Sequence, residues 1–366
     1  MILQRLRLYN FRVYQEQVFT PHPGLNLLTG PNGAGKTSIL EALHLLSAAR
    51  SFKAKREGEL CRWGNSACLV EGSFLTEDNR TRTLGLNWQR AEGEWKKTAT
   101  FQGDSVARLA DFLGCVPLSL FTPADLDLVT GSPSVRRRYL DLILSKLSSL
   151  HLQELARLKK VLSSRNALLR QERPRRETKP WDKLLFQLSL SVGQRREDLA
   201  QTLNAICSDF FQRLTDRESG IQLHYKRCWP TDWREFEARL EELHPREIQR
   251  GATLLSPQKD DLEIRRQERS LRTYGSQGEQ RLVALCLRLA EAQHLAERKQ
   301  EPAILLLDDA LSELDPAKKE KLLEILPDFS QVFLTSATPL GELAKSFHQH
   351  LVADGTITAH LEQCKQ

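Results

Sequence analysis

Gly30-Pro31-Asn32-Gly33-Ala34-Gly35-Lys36-Thr37 closes the short apolar run from Leu25 to Thr29 and opens an amphipathic stretch from Ser38 to Ala49. Strand, glycine-rich loop and helix in that order, with G-x-x-x-x-G-K-[ST] spacing, form the pattern of a phosphate-binding loop. Each residue type has a task there. Glycines let backbone N–H groups close round a β-phosphate, and the start of the helix adds its partial positive charge. Lys36 is placed to reach the β/γ oxygens, and the Thr37 hydroxyl to ligate Mg²⁺. The eight residues from Gly30 to Thr37 are therefore the expected binding residues for a nucleoside triphosphate and its metal.

The 366 residues allow two or three domains, or one large α/β unit with an inserted lobe. An apolar share of 40% supports a sizeable core. No apolar run is long enough to cross a membrane, and the start, Met1-Ile2-Leu3-Gln4-Arg5, goes straight into a strand pattern with no leader-like segment. Seven scattered cysteines without a C-x-x-C pair suit reduced thiols, so a cytoplasmic location is expected. His348, His350 and Cys364 fit no common zinc spacing. The net charge of +6 says little alone, but arginines cluster at 136–138, at 173, 175 and 176, at 195–196, and at 265, 266, 269 and 272. Several clusters together favour a polyanion, whose affinity grows with each counterion released. An acid-paired, solvated helical surface stays open for each single cluster.

Along the chain, residues 1–30 read as three strands. Cys68 to Phe74, Thr83 to Trp88 and Lys97 to Phe101 read as antiparallel strands, and Val106 to Phe112 as a short helix. Ser132-Pro133 starts a helical pattern reaching about Arg170, and after the break between Pro174 and Pro180 a second runs from about Trp181 to Leu214. The two suggest an antiparallel helical arm, roughly 50 Å long at 1.5 Å per residue. Ile221 to Tyr225 follows as a strand and Trp233 to Ile248 as a helix. Ala252 to Leu255 and Leu262 to Ile264 read as sheet, Gln277 to Arg298 as a helix, and Ala303 to Leu307 and Gln331 to Thr335 as buried strands. Strands near the end that match the loop near the start imply one sheet built from both termini.

Ile304-Leu305-Leu306-Leu307-Asp308-Asp309 is an apolar strand ending in two carboxylates. A buried strand with an Asp-rich turn has the same pattern, but beside a phosphate loop Asp308 is expected to hold the metal and Asp309 to act as general base. Tyr274-Gly275-Ser276-Gln277-Gly278-Glu279-Gln280-Arg281 opens a helix about 30 residues earlier, where Ser276 and Gly278 form a second anion-binding surface. Ser312-Glu313-Leu314-Asp315 follows the acidic strand. This order of strings resembles the ATP-binding-cassette class. The resemblance implies an ATP-sandwiched head-to-tail homodimer, with Ser276, Gly278 and Asp315 joining Lys36, Asp308 and Asp309 as catalytic residues.

Further strings resemble the RecF family of bacterial recombination-repair proteins over nearly the whole chain. They are Leu6 to Tyr14 (LRLYNFRVY), Leu40-Glu41-Ala42-Leu43 running to Arg50-Ser51-Phe52, and Phe121-Thr122-Pro123 with Asp125-Leu126. The stretch Leu128 to Asp141, containing Arg136-Arg137-x-Tyr139-Leu140-Asp141, and Arg250 to Leu254 with Ser256 to Leu262 complete the set. Ala124, Ser256, Gln258, Lys259 and Glu279 depart from the family pattern, but none is a phosphate or magnesium position. Ser336 and Thr338 stand where transporter cassettes carry a His, as a γ-phosphate sensor or a plain turn.

The resemblance implies an α/β cassette ATPase head with a second, mainly helical lobe and a short arm. Its expected parts are 1–118 for the ATPase lobe, 119–299 for the helical lobe, and 300–366 to complete the first. It further implies a weak, DNA-stimulated ATPase that dimerises with ATP on DNA where double strand meets single-stranded gap. Such relatives act with RecO and RecR to help RecA filaments form, in repair, replication restart and SOS induction. The alternative is an ATP-gated scaffold related to SMC proteins in which DNA contact is incidental. A transporter subunit is disfavoured by the Arg-rich middle.

Overall fold

The computed structural model describes residues 1–216, 220–312, 314–337 and 341–359, with the backbone alone at 342, 343 and 359. Glu313, Thr338 and Cys364, named above, lie outside the described residues. In the first third the strands are β1 (Ile2–Phe11), β2 (Tyr14–Phe19), β3 (Leu25–Thr29), β4 (Ala67–Leu75), β5 (Thr81–Ala91), β6 (Glu94–Phe101), β7 (Asp104–Ser105) and β8 (Leu118–Phe121). The middle holds β9 (Ile221–Lys226), β10 (Asp261–Arg266) and β11 (Arg269–Ser270). The last third supplies β12 (Ile304–Asp308), β13 (Gln331–Thr335), β14 (His348–Ala353) and β15 (Thr356–Ala359).

The chain divides into two units. The first comprises 1–126, 209–218 and 277–366, the second 127–208 and 219–276. In the first, one sheet has the order β15-β14-β3-β13-β12-β8, parallel except for β15, and so takes strands from both termini, as the sequence implies. Its inner strands β3, β13 and β12 are buried almost throughout because both faces are covered. The other sheet, β2-β1-β4-β5-β6-β7, is antiparallel and alternates inward and outward residues, as one-sided burial requires. The helix Lys36–Ala48 shares one core with both sheets: Leu40, Leu43 and Leu46 cluster with Leu6, Phe74 and Trp88, and with Leu118, Leu306 and Phe333. Eleven of its thirteen residues are buried, so the helix is covered on almost every side rather than amphipathic.

The unit boundaries differ from the sequence-based ones. β8 pairs in parallel with β12, and the helix Gln277–Lys299 lies on it, with the Ser119 hydroxyl donating to Arg288 O at 2.9 Å and Arg288 paired to Asp125 at 2.6 Å. Residues 119–126 and 277–299 therefore fold with the phosphate loop.

In the second unit the expected long helix is broken. Pro133–Leu147 ends at Ser148, whose extended backbone (φ −144°) stops it, and whose hydroxyl accepts from His151 N to start Ser149–Arg170. Residues 252–255 form no strand. Two of their amides are taken by side chains instead, Thr253 N by Asn166 at 2.7 Å and Leu254 N by Glu247 at 2.8 Å, and Ala252 N donates to Glu247 O. Two of the four arginine clusters are tied into the fold by acid and carbonyl partners, while Arg138, Arg173, Arg176, Arg269 and Arg272 are exposed. Arg136 grips Asp261 through two nitrogens at 2.8 and 2.9 Å, and Arg196 grips Asp141 at 2.8 and 2.7 Å. Arg137 donates to Asp260 O, and Arg195 pairs with Glu154. Arg165, fully buried, joins Asp182, Thr253 and Glu247 at 3.3, 2.9 and 2.7 Å.

Removing one partner of such a network leaves buried charge uncompensated. Arg165→Ala is expected to lower the stability of the second unit by about 3–5 kcal/mol. Urea unfolding followed by circular dichroism measures this, and an unchanged midpoint would show that the network contributes nothing.

Candidate nucleotide-binding site

The carboxyl ends of parallel strands are where open α/β sheets bind ligands, because loops and helix starts converge there. Here β3 ends at Thr29, β12 at Asp308 and β13 at Thr335, with Asp308 opposite Thr335 in the pairing. The phosphate loop leaves β3 through Gly30 at φ +140°, where a Cβ would sit 2.0 Å from Val352 O. Gly35, at φ +116°, lies under Tyr14, whose hydroxyl donates to Gly35 O at 3.1 Å; a Cβ there would be 2.7 Å from that oxygen. Both positions demand glycine. The helix then starts at Lys36 with no side chain capping it, so its first amides face the loop.

Lys36 Nζ donates to Gly30 O at 2.6 Å and Pro31 O at 2.9 Å, and burial holds its pKa below the usual lysine range. The Thr37 hydroxyl donates to Asp308 Oδ1 at 3.0 Å, and the Thr335 hydroxyl donates to the same oxygen at 2.7 Å. Thr335 Oγ1 also accepts from Asp309 N at 3.0 Å. Burial raises the Asp308 carboxyl above the usual carboxylate range, against the lowering effect of the two hydroxyls. Asp309 adopts φ +52° and accepts from the Ser312 hydroxyl at 3.0 Å.

Thr37, Asp308 and Asp309 offer hard oxygen donors. Mg²⁺ takes one or two carboxylates and fills its octahedron with water and phosphate oxygens, so these residues fit it. Among the described residues no group of three or more His, Cys, Asp and Glu side chains could hold a metal by itself. His350 instead bonds Asn26 at 3.0 Å, with its pKa pushed down to about 4, mainly by burial. The cleft in front of the loop encloses about 1050 Å³ and is lined by Asn32, Lys36, Thr37, Asp308, Asp309 and Thr335, among others.

The structure thus brings together Gly30 to Thr37 with Asp308 and Asp309. Ser276 is the last residue of the second unit. Gly278 lies in the first turn of Gln277–Lys299, where a Cβ would meet nothing within 4 Å. Asp315 caps the helix Pro316–Ile325, accepting from Lys318 N at 3.0 Å, and the Lys318 hydrogen bond holds its carboxyl low. Gly278 and Asp315 are not among the residues lining the cleft. Ser336 is buried and donates its amide to Leu28 O.

Sequence reasoning missed Thr335, Lys53, Arg56 and Trp63 of the cleft. It also missed the purpose of two of the strings quoted above, which lie behind the loop. Arg12, at φ +53°, donates to both oxygens of buried Glu41 at 2.7 and 2.6 Å, and Glu41 also accepts from Ser51. The two strings therefore form one network against the helix that carries Lys36.

Comparison with known proteins shows the family. The family model described as the RecF/RecN/SMC N terminal domain matches residues 2–346. The chain is 35% identical to the DNA replication and repair protein RecF of Herpetosiphon aurantiacus, over 95% of this chain and 96% of that one. The chain belongs to the RecF family. RecF of Heliobacterium modesticaldum is likewise 35% identical, over 92% of both chains. A solved structure of the recombination mediator protein RecF with ATP in the RecFOR pathway superposes with a TM-score of 0.87 at 26% identity, over 98% of this chain and 97% of that one. An SMC head bound to the winged-helix domain of ScpA, at 15% identity and a TM-score of 0.58, shares the fold. RecF and SMC heads are α/β P-loop ATPase heads, and this chain has the same architecture.

The raised Asp308 carboxyl has a consequence for stability. In the metal-free protein the folded state favours the protonated form, so the charge costs stability above the folded-state pKa, and acidification recovers it. Asp308→Asn is expected to stabilise the metal-free protein at pH 7 by about 1 kcal/mol, the gain shrinking as pH falls, while Mg²⁺-dependent ATP hydrolysis is lost. Urea titrations in EDTA at pH 7 and pH 5 test this, and a destabilised Asn variant at pH 7 would contradict it.

Proposed function

We propose that this RecF-family chain binds ATP with Mg²⁺ at the Gly30–Thr37 loop and uses the nucleotide to control its hold on DNA. The reading is carried by one observation: Thr37 of the phosphate loop and Asp308 of the apolar strand meet at 3.0 Å, so their two oxygens stand together as the pair that would hold Mg²⁺. Lys36 would then leave its carbonyl partners for the phosphates, and Asp309 would take the proton of the attacking water. When bound, Mg²⁺ supplies charge neutralisation for the phosphates.

We infer the remaining steps, which family membership supports. ATP closes two copies head to tail, with Ser276 and Gly278 of one copy against the γ-phosphate held by the other, and Asp315 at the junction. The pair grips duplex DNA beside a single-stranded gap, assists recombinase loading with RecO- and RecR-type proteins, and supports replication restart and SOS induction. ATP hydrolysis, weak and stimulated by DNA, reopens it. With such partners and a DNA substrate, the protein would work in the cytoplasm. Among the described residues no helix is long and apolar enough to cross a membrane.

One observation favours a second reading. Arg136, Arg137, Arg195 and Arg196 are engaged by acceptors inside their own unit, so these clusters lend little to a phosphate-binding face. An ATP-gated scaffold with incidental DNA contact would show the same pairing.

Binding to a gapped duplex with and without ATP, at 50 and 200 mM salt, separates the two. ATP is expected to tighten binding by at least about tenfold, and the salt increase to weaken it by about a thousandfold if six phosphates are contacted. Lys36→Ala is expected to lose ATP binding and the ATP effect together. DNA affinity indifferent to ATP would leave the scaffold reading in place.

A further inference from the structure

Trp63 is 99% exposed and lines the nucleotide cleft. An indole carries one of the largest apolar surfaces of any side chain, and nothing in the fold gains from leaving it in water. The two other tryptophans nearby are used structurally. Trp88 is fully buried and donates to Glu57, and Trp95 packs on Gly58, where a Cβ would be 2.4 Å from the indole nitrogen.

The exposure of Trp63 does not come from an untethered segment. Arg62 N donates to Asn10 O at 2.7 Å, Asn65 N to Arg62 O at 3.1 Å, and Cys61 bridges to Phe11. Lys97 and the Trp88 indole both hold Glu57, at the start of the same wall. The backbone is thus pinned on both sides of a side chain aimed into solvent at a cleft that holds a phosphate loop. At about 1050 Å³ that cleft has room for a whole nucleotide and not merely its phosphates.

We propose that Trp63 is the base-stacking residue of this site, its indole face receiving the purine while Gly30 to Thr37 hold the triphosphate. Lys53 and Arg56, which line the same cleft, are then the cations available to the sugar-phosphate stretch between. Because every base has a π-face, stacking adds affinity with little choice between adenine and guanine. The inference rests on the nucleotide reading above and assigns its base end.

Calorimetric titration of the full chain with ATP, GTP and inorganic tripolyphosphate tests it, using wild type, Trp63→Ala and Trp63→Phe. Trp63→Ala is expected to bind ATP and GTP about tenfold to a hundredfold more weakly, with tripolyphosphate affinity unchanged, and Trp63→Phe to keep most of the wild-type affinity. Unchanged ATP affinity in Trp63→Ala would overturn the proposal. So would an equal loss for tripolyphosphate, which marks a damaged wall instead of a lost base contact. A wild-type protein that binds none of the three would overturn the nucleotide reading itself, and this inference with it.

Discussion

Asp308 is a carboxylate at the end of a buried strand, held by the hydroxyls of Thr37, 271 residues earlier in the chain, and Thr335, 27 residues later. The three atoms join the start of the phosphate-loop helix to two adjacent parallel strands. Burial disfavours the charge on Asp308, and the two hydroxyls only partly offset that cost. A cation arriving between Thr37 and Asp308 would relieve it.

The rest of the first unit serves to keep those atoms in place. The helix Lys36–Ala48 lies in a core shared by a parallel and an antiparallel sheet, which explains why so little of it reaches solvent. Arg12 and Glu41 fasten the β1–β2 turn to that helix. Close packing at Gly30 and Gly35 fixes the loop from outside, through Val352 of β14 and Tyr14 of β2. The loop is thus packed between a strand from the first 20 residues and one near residue 350.

Much of this was legible from residues alone. β3, β12 and β13 announce themselves as apolar runs, and the glycine pattern at 30–37 and the acids at 308–309 carry chemistry that their spacing declares. Other parts were hidden for physical reasons. β8 has four residues, and β14 mixes histidines with apolar residues, so neither shows a clean period. The break at Ser148 needed a change of backbone angle that no glycine or proline marks. Segment 252–255 looks extended because it is apolar, yet Asn166 and Glu247 satisfy its amides. Charge counts were the least informative. Arg136 and Arg196 belong to clusters that favour a polyanion in one dimension and are internal braces in three, since each acid partner lies 55 or more residues away. Thr335 gave no signal at all, because a threonine ending an apolar strand is ordinary until its neighbour is Asp308.

The role assigned to the triphosphate, as the bond between two copies, is tested most directly by sedimentation velocity with Mg·ATP and with Mg·ADP. A shift from one copy to two with ATP, absent with ADP and absent in Lys36→Ala, is the expected result. A molecule that sediments as a single copy with ATP bound would contradict it.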